Sequence, residues 1–184
     1  MKQASRVLVL GAPASGKSTF CAELSRRTGL PWVQLDRAIA DLADAVQRPV
    51  GARDEPWRRH VARAAAEPKW IIDGVWPDTL DERLARAEQV ILFDFAPARC
   101  LRQALSRAAR VVLGLPTHVP RAVLGRAADR WAYATDLNHY RSIARFRRDA
   151  LPPLRERIAR SGASCVELRT PTDARALLAA WSAG

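Results

Sequence analysis

Val7-Leu8-Val9-Leu10-Gly11-Ala12-Pro13-Ala14-Ser15-Gly16-Lys17-Ser18-Thr19 is the stretch that decides the fold. Its first four residues form a continuous apolar run, the pattern of a short strand buried on both faces, and the run stops at a glycine. From Lys17 to Arg27 the pattern turns helical. The order is therefore strand, glycine turn, helix. Residues 11–18 fit G-x-x-x-x-G-K-[ST] without a mismatch. Gly11 lets the chain turn sharply after the strand, and Gly16 lets backbone N–H groups come close to phosphate oxygens. The helix starting near Lys17 points its positive dipole end at those phosphates. Lys17 is expected to reach the β- and γ-phosphates of ATP, and the Ser18 hydroxyl to ligate Mg²⁺. The expected nucleotide cradle is Gly11, Ala12, Pro13, Ala14, Ser15, Gly16, Lys17, Ser18 and Thr19.

Outward from this loop, strand-like and helix-like segments alternate. Gly29-Leu30-Pro31 stops the first helix, and Trp32 to Asp36 reads as a second strand ending on a carboxylate. Helical, polar sequence continues to Glu67 with breaks near Pro49-Val50-Gly51 and Pro56. Trp70 to Asp73 and Val90 to Asp94 are two further buried-strand runs, each ending on Asp. A short helix is predicted over Asp78 to Arg86 and a longer one over Pro97 to Val112, with Pro97 in its first turn. The turn-rich stretch Gly114 to Pro120 interrupts, and helical sequence resumes to about Ile158 with a break at Pro152-Pro153. Ser164 to Leu168 is the fifth strand candidate and Thr172 to Trp181 the last helix. Strands alternating with helices imply an α/β fold, a parallel sheet covered on both faces.

The 184 residues suit one domain spanning 1–184, and 48% hydrophobic with 27% charged residues is the composition of an ordinary globular chain. No apolar run approaches the roughly 18 residues a membrane helix needs, and no secretory leader is read at the N-terminus, so a cytoplasmic, membrane-free protein is expected. Cys21, Cys100 and Cys165 lack C-x-x-C spacing and are expected as buried thiols. His60, His118 and His139 lack metal-ligand spacing, and none is assigned catalysis.

The net charge is +11, and only Lys2, Lys17 and Lys69 are lysines. Between Arg99 and Arg160 fourteen arginines face four acids, so this segment alone carries +10. Such a field attracts phosphate on a nucleotide, an acidic metabolite or a nucleic acid backbone. Arg141, Arg145 and Arg148 fall at i, i+4 and i+7 on one helical face, with Arg147 beside it. Trp131, Tyr133, Tyr140 and Phe146 interleave with them and suit a core better than base stacking.

Three strand-end carboxylates, Asp36, Asp73 and Asp94, compete to organise the magnesium. Four apolar residues before an Asp favour Asp94 by pattern, with Asp73 close behind. In a parallel sheet the carboxyl ends of the strands form the ligand crevice, so all three are expected at the edge that carries the glycine loop.

With the loop, Ile72-Asp73-Gly74 followed by Pro77-Asp78-Thr79-Leu80, and Val90 to Asp94 with Pro97, the chain resembles nucleoside monophosphate kinases of the adenylate kinase type. It is most similar to the adenylate kinase-like family of DNA topology modulation proteins, through Gly29-Leu30-Pro31, Leu35-Asp36, Trp70 to Gly74, Thr79-Leu80-Asp81 with Arg83-Leu84, Arg145 to Arg148, and Val166-Glu167-Leu168. The resemblance implies a P-loop NTPase fold: three α/β/α layers, a five-stranded parallel sheet in order 2-3-1-4-5, and a helical, arginine-rich lid at about 107–140. It implies that Asp73 holds magnesium through water, ahead of Asp94, and that Asp36 orients or deprotonates an acceptor hydroxyl. Arginines from Arg102 to Arg110, Arg107 among them as a nucleotide contact, and from Arg141 to Arg148 would form the lid and its hinge, with Arg145 and Arg148 acting on the transferred phosphate. Adenylate kinases carry an arginine shortly after Asp-Gly where this chain has Val75-Trp76-Pro77-Asp78, and Ala104 stands where a lid arginine is expected.

The expectation is a Mg²⁺-dependent transfer of the γ-phosphoryl of ATP to a small acceptor, a nucleoside monophosphate or another metabolite, by a monomer or homodimer. The alternatives are a nucleotide-gated nucleic acid-binding regulator and a P-loop NTPase without acceptor. No helix-turn-helix, RNP or zinc-finger signature is present, so nucleic acid is the less favoured partner.

Overall fold

The apolar run at the N-terminus becomes β1 (Arg6–Gly11), buried throughout from Val7 onward. In the computed structural model, which describes residues 4–46, 51, 53–115, 117 and 126–182, β1 lies at the centre of a five-stranded sheet. Its companions are β2 (Trp32–Gln34), β3 (Trp70–Asp73), β4 (Gln89–Phe93) and β5 (Ser164–Leu168), all parallel, in the order β2-β3-β1-β4-β5. This is the predicted order.

Parallel strands need crossovers, and the crossovers are helical. They are α1 (Lys17–Thr28), α2 (Leu35–Val46), α3 (Glu55–Ala66), a 3₁₀ turn (Pro77–Thr79), α4 (Leu80–Leu84), α5 (Pro97–Val112), α6 (Ala127–Ala134), α7 (Leu137–Asp149) and α8 (Leu151–Ser161). A last helix, α9 (Pro171–Ser182), follows β5. The chain moves from β1 to β2 in one direction across the sheet and from β2 through β3 and β4 to β5 in the other. Right-handed crossovers therefore put α1 on one face, where it packs with α9, and α3, α4 and α8 on the other.

The order of the sheet fixes what meets at its carboxyl edge. Val9 pairs with Asp73, Gln34 also pairs with Asp73, and Gly11 pairs with Phe93. Phe93 is fully packed, edge-on to Phe20 at 5.3 Å and tilted against Phe95 at 5.2 Å. Gly11 has φ +138°, and a Cβ there would lie 2.4 Å from the Phe93 carbonyl oxygen.

Several local expectations shift. The second strand stops at Gln34, so Asp36 lies in the first turn of α2 instead of at a strand end. Pro56 and Pro152-Pro153 begin α3 and α8, where a missing N–H costs nothing, and the break before α8 falls at Ala150. Cys21 and Cys100 are buried, but Cys165 is exposed because β5 is an edge strand. Among the described residues no helix is long and apolar enough to cross a membrane. His118 and part of the 107–140 segment lie outside the described residues.

Two glycines separate backbone strain from steric overlap. Gly29 has φ +71° with nothing within 4 Å of a Cβ, so Gly29→Ala costs about 1–2 kcal/mol for the left-handed backbone alone. Gly11→Ala adds a collision with a buried main chain and is expected to destabilise substantially more, by at least about 3 kcal/mol in all, as read by urea unfolding. Equal losses in the two variants would contradict this packing.

Candidate functional site

Gly11, Ala14 and Gly16 have φ of +138°, +55° and +94°, and alternation of left- and right-handed residues makes the concave backbone that binds anions. Ser15 is 2% exposed, and its Oγ has no hydrogen-bond partner. Helix α1 has no side-chain cap and no acid in its first turn. Lys17 Nζ folds back to donate to the carbonyl oxygens of Gly11 (3.0 Å) and Ala12 (2.7 Å). A buried hydroxyl lacking a partner beside an uncapped helix N-terminus fits a phosphate group.

Ser18 Oγ donates to Asp73 Oδ2 at 2.8 Å, and Gln34 Nε2 donates to Ser18 Oγ at 3.3 Å. Asp73 is 4% exposed. Burial pushes its pKa up, Lys17 and the Ser18 hydrogen bond pull it down, and Asp36 adds a smaller upward push. A carboxylate whose charge is penalised by burial gains from a cation beside it. No group of three or more His, Cys, Asp and Glu side chains that could hold a metal occurs among the described residues. Ser18 and one carboxylate nevertheless fit Mg²⁺, which keeps waters and takes its other oxygens from phosphates.

Asp94 is as deeply buried as Asp73 but differently compensated. Arg147 Nε donates to its Oδ1 at 2.6 Å and Arg155 Nη2 to its Oδ2 at 3.2 Å. Arg155 also grips Glu167 through Nε (2.8 Å) and Nη2 (2.9 Å). Both Asp94 carboxylate oxygens are thus taken by guanidinium groups.

A cavity of 670 Å³ opens above the loop, with Gly11, Pro13 and Lys17 on its floor. One wall carries Asp36 and the segment Gly74 to Trp76. Trp76 Nε1 donates to Asp36 Oδ1 at 2.9 Å. The opposite wall is α7, which contributes Arg141, Arg145 and the buried ring of Phe146. Asp136 caps this helix, accepting from the N–H groups of Asn138 and His139.

Lys17, Asp36 and Arg145 thus meet in one cavity. Arg148 lies outside its lining, on the exposed side of α7, and binds Asp149 at 2.6 Å and 3.2 Å. Arg107, half-buried on α5, lies outside the lining too. It sits near His139, whose pKa is lowered chiefly by burial and further by that guanidinium, against upward pulls from Asp136 and Asp36. Three residues that the sequence reading did not assign also shape the site: Gln34 on Ser18, Arg83 under the Gly74–Thr79 segment, and Arg155 on Asp94; Trp76, which by sequence suits either the acceptor side or the core together with Trp57 and Trp70, lines the cavity and binds Asp36. Arg83 alone left a local signal, lying on the apolar stripe with Leu80 and Leu84.

No protein-family model and no curated protein matches the sequence. Solved structures do match. A shikimate kinase from Bacteroides thetaiotaomicron aligns with a TM-score of 0.55 at 14% identity, over 97% of this chain and 96% of that chain. The chain has the three-layer P-loop fold. A gluconokinase from Sinorhizobium meliloti 1021 aligns over 97% of this chain and 94% of that one at 14% identity, with a TM-score of 0.46.

The two buried carboxylates predict opposite stability changes in magnesium-free buffer. Asp94→Asn leaves two guanidinium groups short of a carboxylate and should destabilise by about 1–2 kcal/mol, a figure reduced because both arginines are over 40% exposed. Asp73→Asn removes a penalised charge and should stabilise by about 0.5–2 kcal/mol at neutral pH. Because its folded-state pKa is raised, Asp73 costs stability above that value and nothing below the ordinary 3.8, so the gain should vanish in acid. Thermal unfolding of both variants from pH 3 to 8 reads this directly; a stabilised Asp94→Asn would contradict the ion-pair assignment.

Proposed function

We propose that the protein transfers the γ-phosphoryl group of ATP to a hydroxyl of a small acceptor. The observation that carries the reading is the single cavity joining Lys17, at the end of the phosphate loop, to the Asp36 carboxylate. The fold shared with a shikimate kinase is compatible with it.

In this reading the loop N–H groups and Ser15 Oγ hold phosphate oxygens. Lys17, released from the Gly11 and Ala12 carbonyls, reaches the transferring group. Ser18 and Asp73 hold Mg²⁺, which neutralises phosphate charge. Asp36 orients the acceptor and takes its hydroxyl proton. The acceptor oxygen forms a bond to the γ-phosphorus as the bond to the bridging oxygen breaks, and ADP leaves with that electron pair. Arg141 and Arg145 face the reacting groups and offset the charge developing on the phosphoryl oxygens. Arg148 and Arg107 are left out of the reacting set. Asp94 serves the arginine helix: its ion pair with Arg147 ties α7 to the end of β4. The arginine-bearing segment around 107–140 would act as the lid that excludes water.

The test is ATP-to-ADP conversion with Mg²⁺ across nucleosides, nucleoside monophosphates and small hydroxy acids, with DNA as a separate addition. One acceptor should stimulate the wild type, and Lys17→Ala should lose a hundredfold or more, on the order expected for a group that stabilises transition-state charge. Its circular dichroism should be unchanged. A Lys17→Ala variant at the wild-type rate, or turnover stimulated only by DNA with a steep salt dependence, would overturn the assignment.

A further inference from the structure

We propose that Trp76 is a positioning residue that holds Asp36 for proton removal from the acceptor, and that buried Arg83 fixes the backbone from which Trp76 does so. This rests on the phosphotransferase reading, which supplies the role of Asp36.

Asp36 is exposed in the first turn of α2, where a short carboxylate has several rotamers open to it. The indole N–H of Trp76 restricts that choice by binding Oδ1 at 2.9 Å, leaving Oδ2 for the acceptor hydroxyl. The indole is itself held by its ring, tilted against the fully buried Trp57 at a centroid distance of 5.1 Å. Its backbone is unusual, with φ +33° at a non-glycine residue, a conformation that persists only where the surroundings impose it.

Arg83 supplies that imposition. It is completely buried, and its hydrogen bonds converge on the segment that carries Trp76. Nη1 donates to the Gly74 carbonyl (2.6 Å), Nη2 to those of Val75 (2.6 Å) and Trp76 (2.8 Å), and Nε to that of Thr79 (3.1 Å). Burial draws its pKa down to about 9, which leaves it charged at neutral pH. A buried cation compensated by main-chain carbonyls is a costly way to stabilise a loop, and an apolar side chain would fill the space more cheaply. What the guanidinium adds is a defined path for three consecutive carbonyls. Gly74, Val75 and Trp76, the residues bearing those carbonyls, all line the cavity.

The test compares wild type, Trp76→Phe, Asp36→Asn and the double variant in phosphoryl transfer to a saturating acceptor. Trp76→Phe keeps an aromatic ring against Trp57 and loses the N–H together with part of the indole's bulk, so unfolding midpoints of the single and double variants are read alongside. The substitution should lower kcat about ten- to a hundredfold while KM for ATP and acceptor moves by less than about threefold. On the Asp36→Asn background it should cost nothing further, because the two residues act through one contact. An active wild type with an unchanged Trp76→Phe, or losses that multiply independently, overturns this inference alone. A wild type inactive with every acceptor overturns the phosphotransferase reading and this role with it. A second measurement needs no turnover: the Trp76 indole proton resonance should move upfield in Asp36→Asn and exchange faster with solvent in Arg83→Lys. A resonance unshifted in Asp36→Asn, or exchanging at the wild-type rate in Arg83→Lys, would refute the physical link.

Discussion

The burial of Asp73 is the constraint on which the arrangement of the site depends. A carboxylate 4% exposed at the end of β3 has to be compensated, and the sheet order determines by what. Because β3 pairs with β1 on one side and β2 on the other, Asp73 stands in register with Val9 and Gln34. The residues available to it are therefore Lys17 and Ser18, the first two residues of the helix that follows β1, and Gln34, which reaches Asp73 only through the Ser18 hydroxyl. That compensation is incomplete, since burial still outweighs Lys17 and Ser18 in setting the direction of the pKa. An incompletely compensated carboxylate beside an uncapped helix N-terminus suits the proposed cation, whereas both oxygens of Asp94 are already held by guanidinium groups.

The positive charge of the second half of the chain divides in a similar way. Read as a field, the +10 between Arg99 and Arg160 suggests a broad phosphate-binding surface. Much of it is spent inside the molecule: Arg147 and Arg155 on Asp94, Arg155 again on Glu167, and Arg157 on Asp81 and the Pro77 carbonyl. These contacts fasten α7 and α8 to the edge of the sheet that carries the site. Arg141 and Arg145, on the same helix as Arg147, are the pair turned toward the cavity. Helical periodicity explains the division: Arg141 and Arg145 are four apart on one face, and Arg147 is rotated about 200° from Arg145, at 100° per residue, toward the sheet.

The sheet was legible because buried parallel strands write themselves as continuous apolar runs, and the glycine loop was legible because its spacing is dictated by phosphate. Local pattern says less where a side chain answers to a partner that the pattern does not show. Trp32 to Asp36 reads as one strand because Leu35 is apolar and completely buried, yet Leu35 begins α2, and Asp36 then falls where a helix dipole favours an acid. The apolar run before Asp94 gives it the look of a metal ligand, while the arginines that occupy it come from 53 and 61 residues downstream. No local pattern announces such pairs. Arg148 shares a face with Arg141 and Arg145 by spacing alone, but its guanidinium is paired with the neighbouring Asp149.

Gly74 links the two halves of the cavity wall formed by Asp36 and Trp76. At φ +134° it takes a conformation that disfavours a side chain, and a Cβ there would lie 3.2 Å from Leu35 Cβ and 3.0 Å from the Trp76 ring. Its missing side chain lets Leu35 sink into the core against the Asp-Gly turn, and Leu35 immediately precedes Asp36. The same close approach brings the Trp76 ring over that turn. The carboxylate and the indole that binds it are therefore set by one contact, anchored in the core on the α2 side by Leu35 and on the other by Arg83. A backbone this constrained costs folding free energy, with left-handed torsion at Trp76 and a buried cation beneath it. Such a cost at a cavity wall, in a sheet that is otherwise regular, is what a site held in advance of its ligand requires, since precise placement of a reacting group cannot be left to an exposed side chain on a helix end.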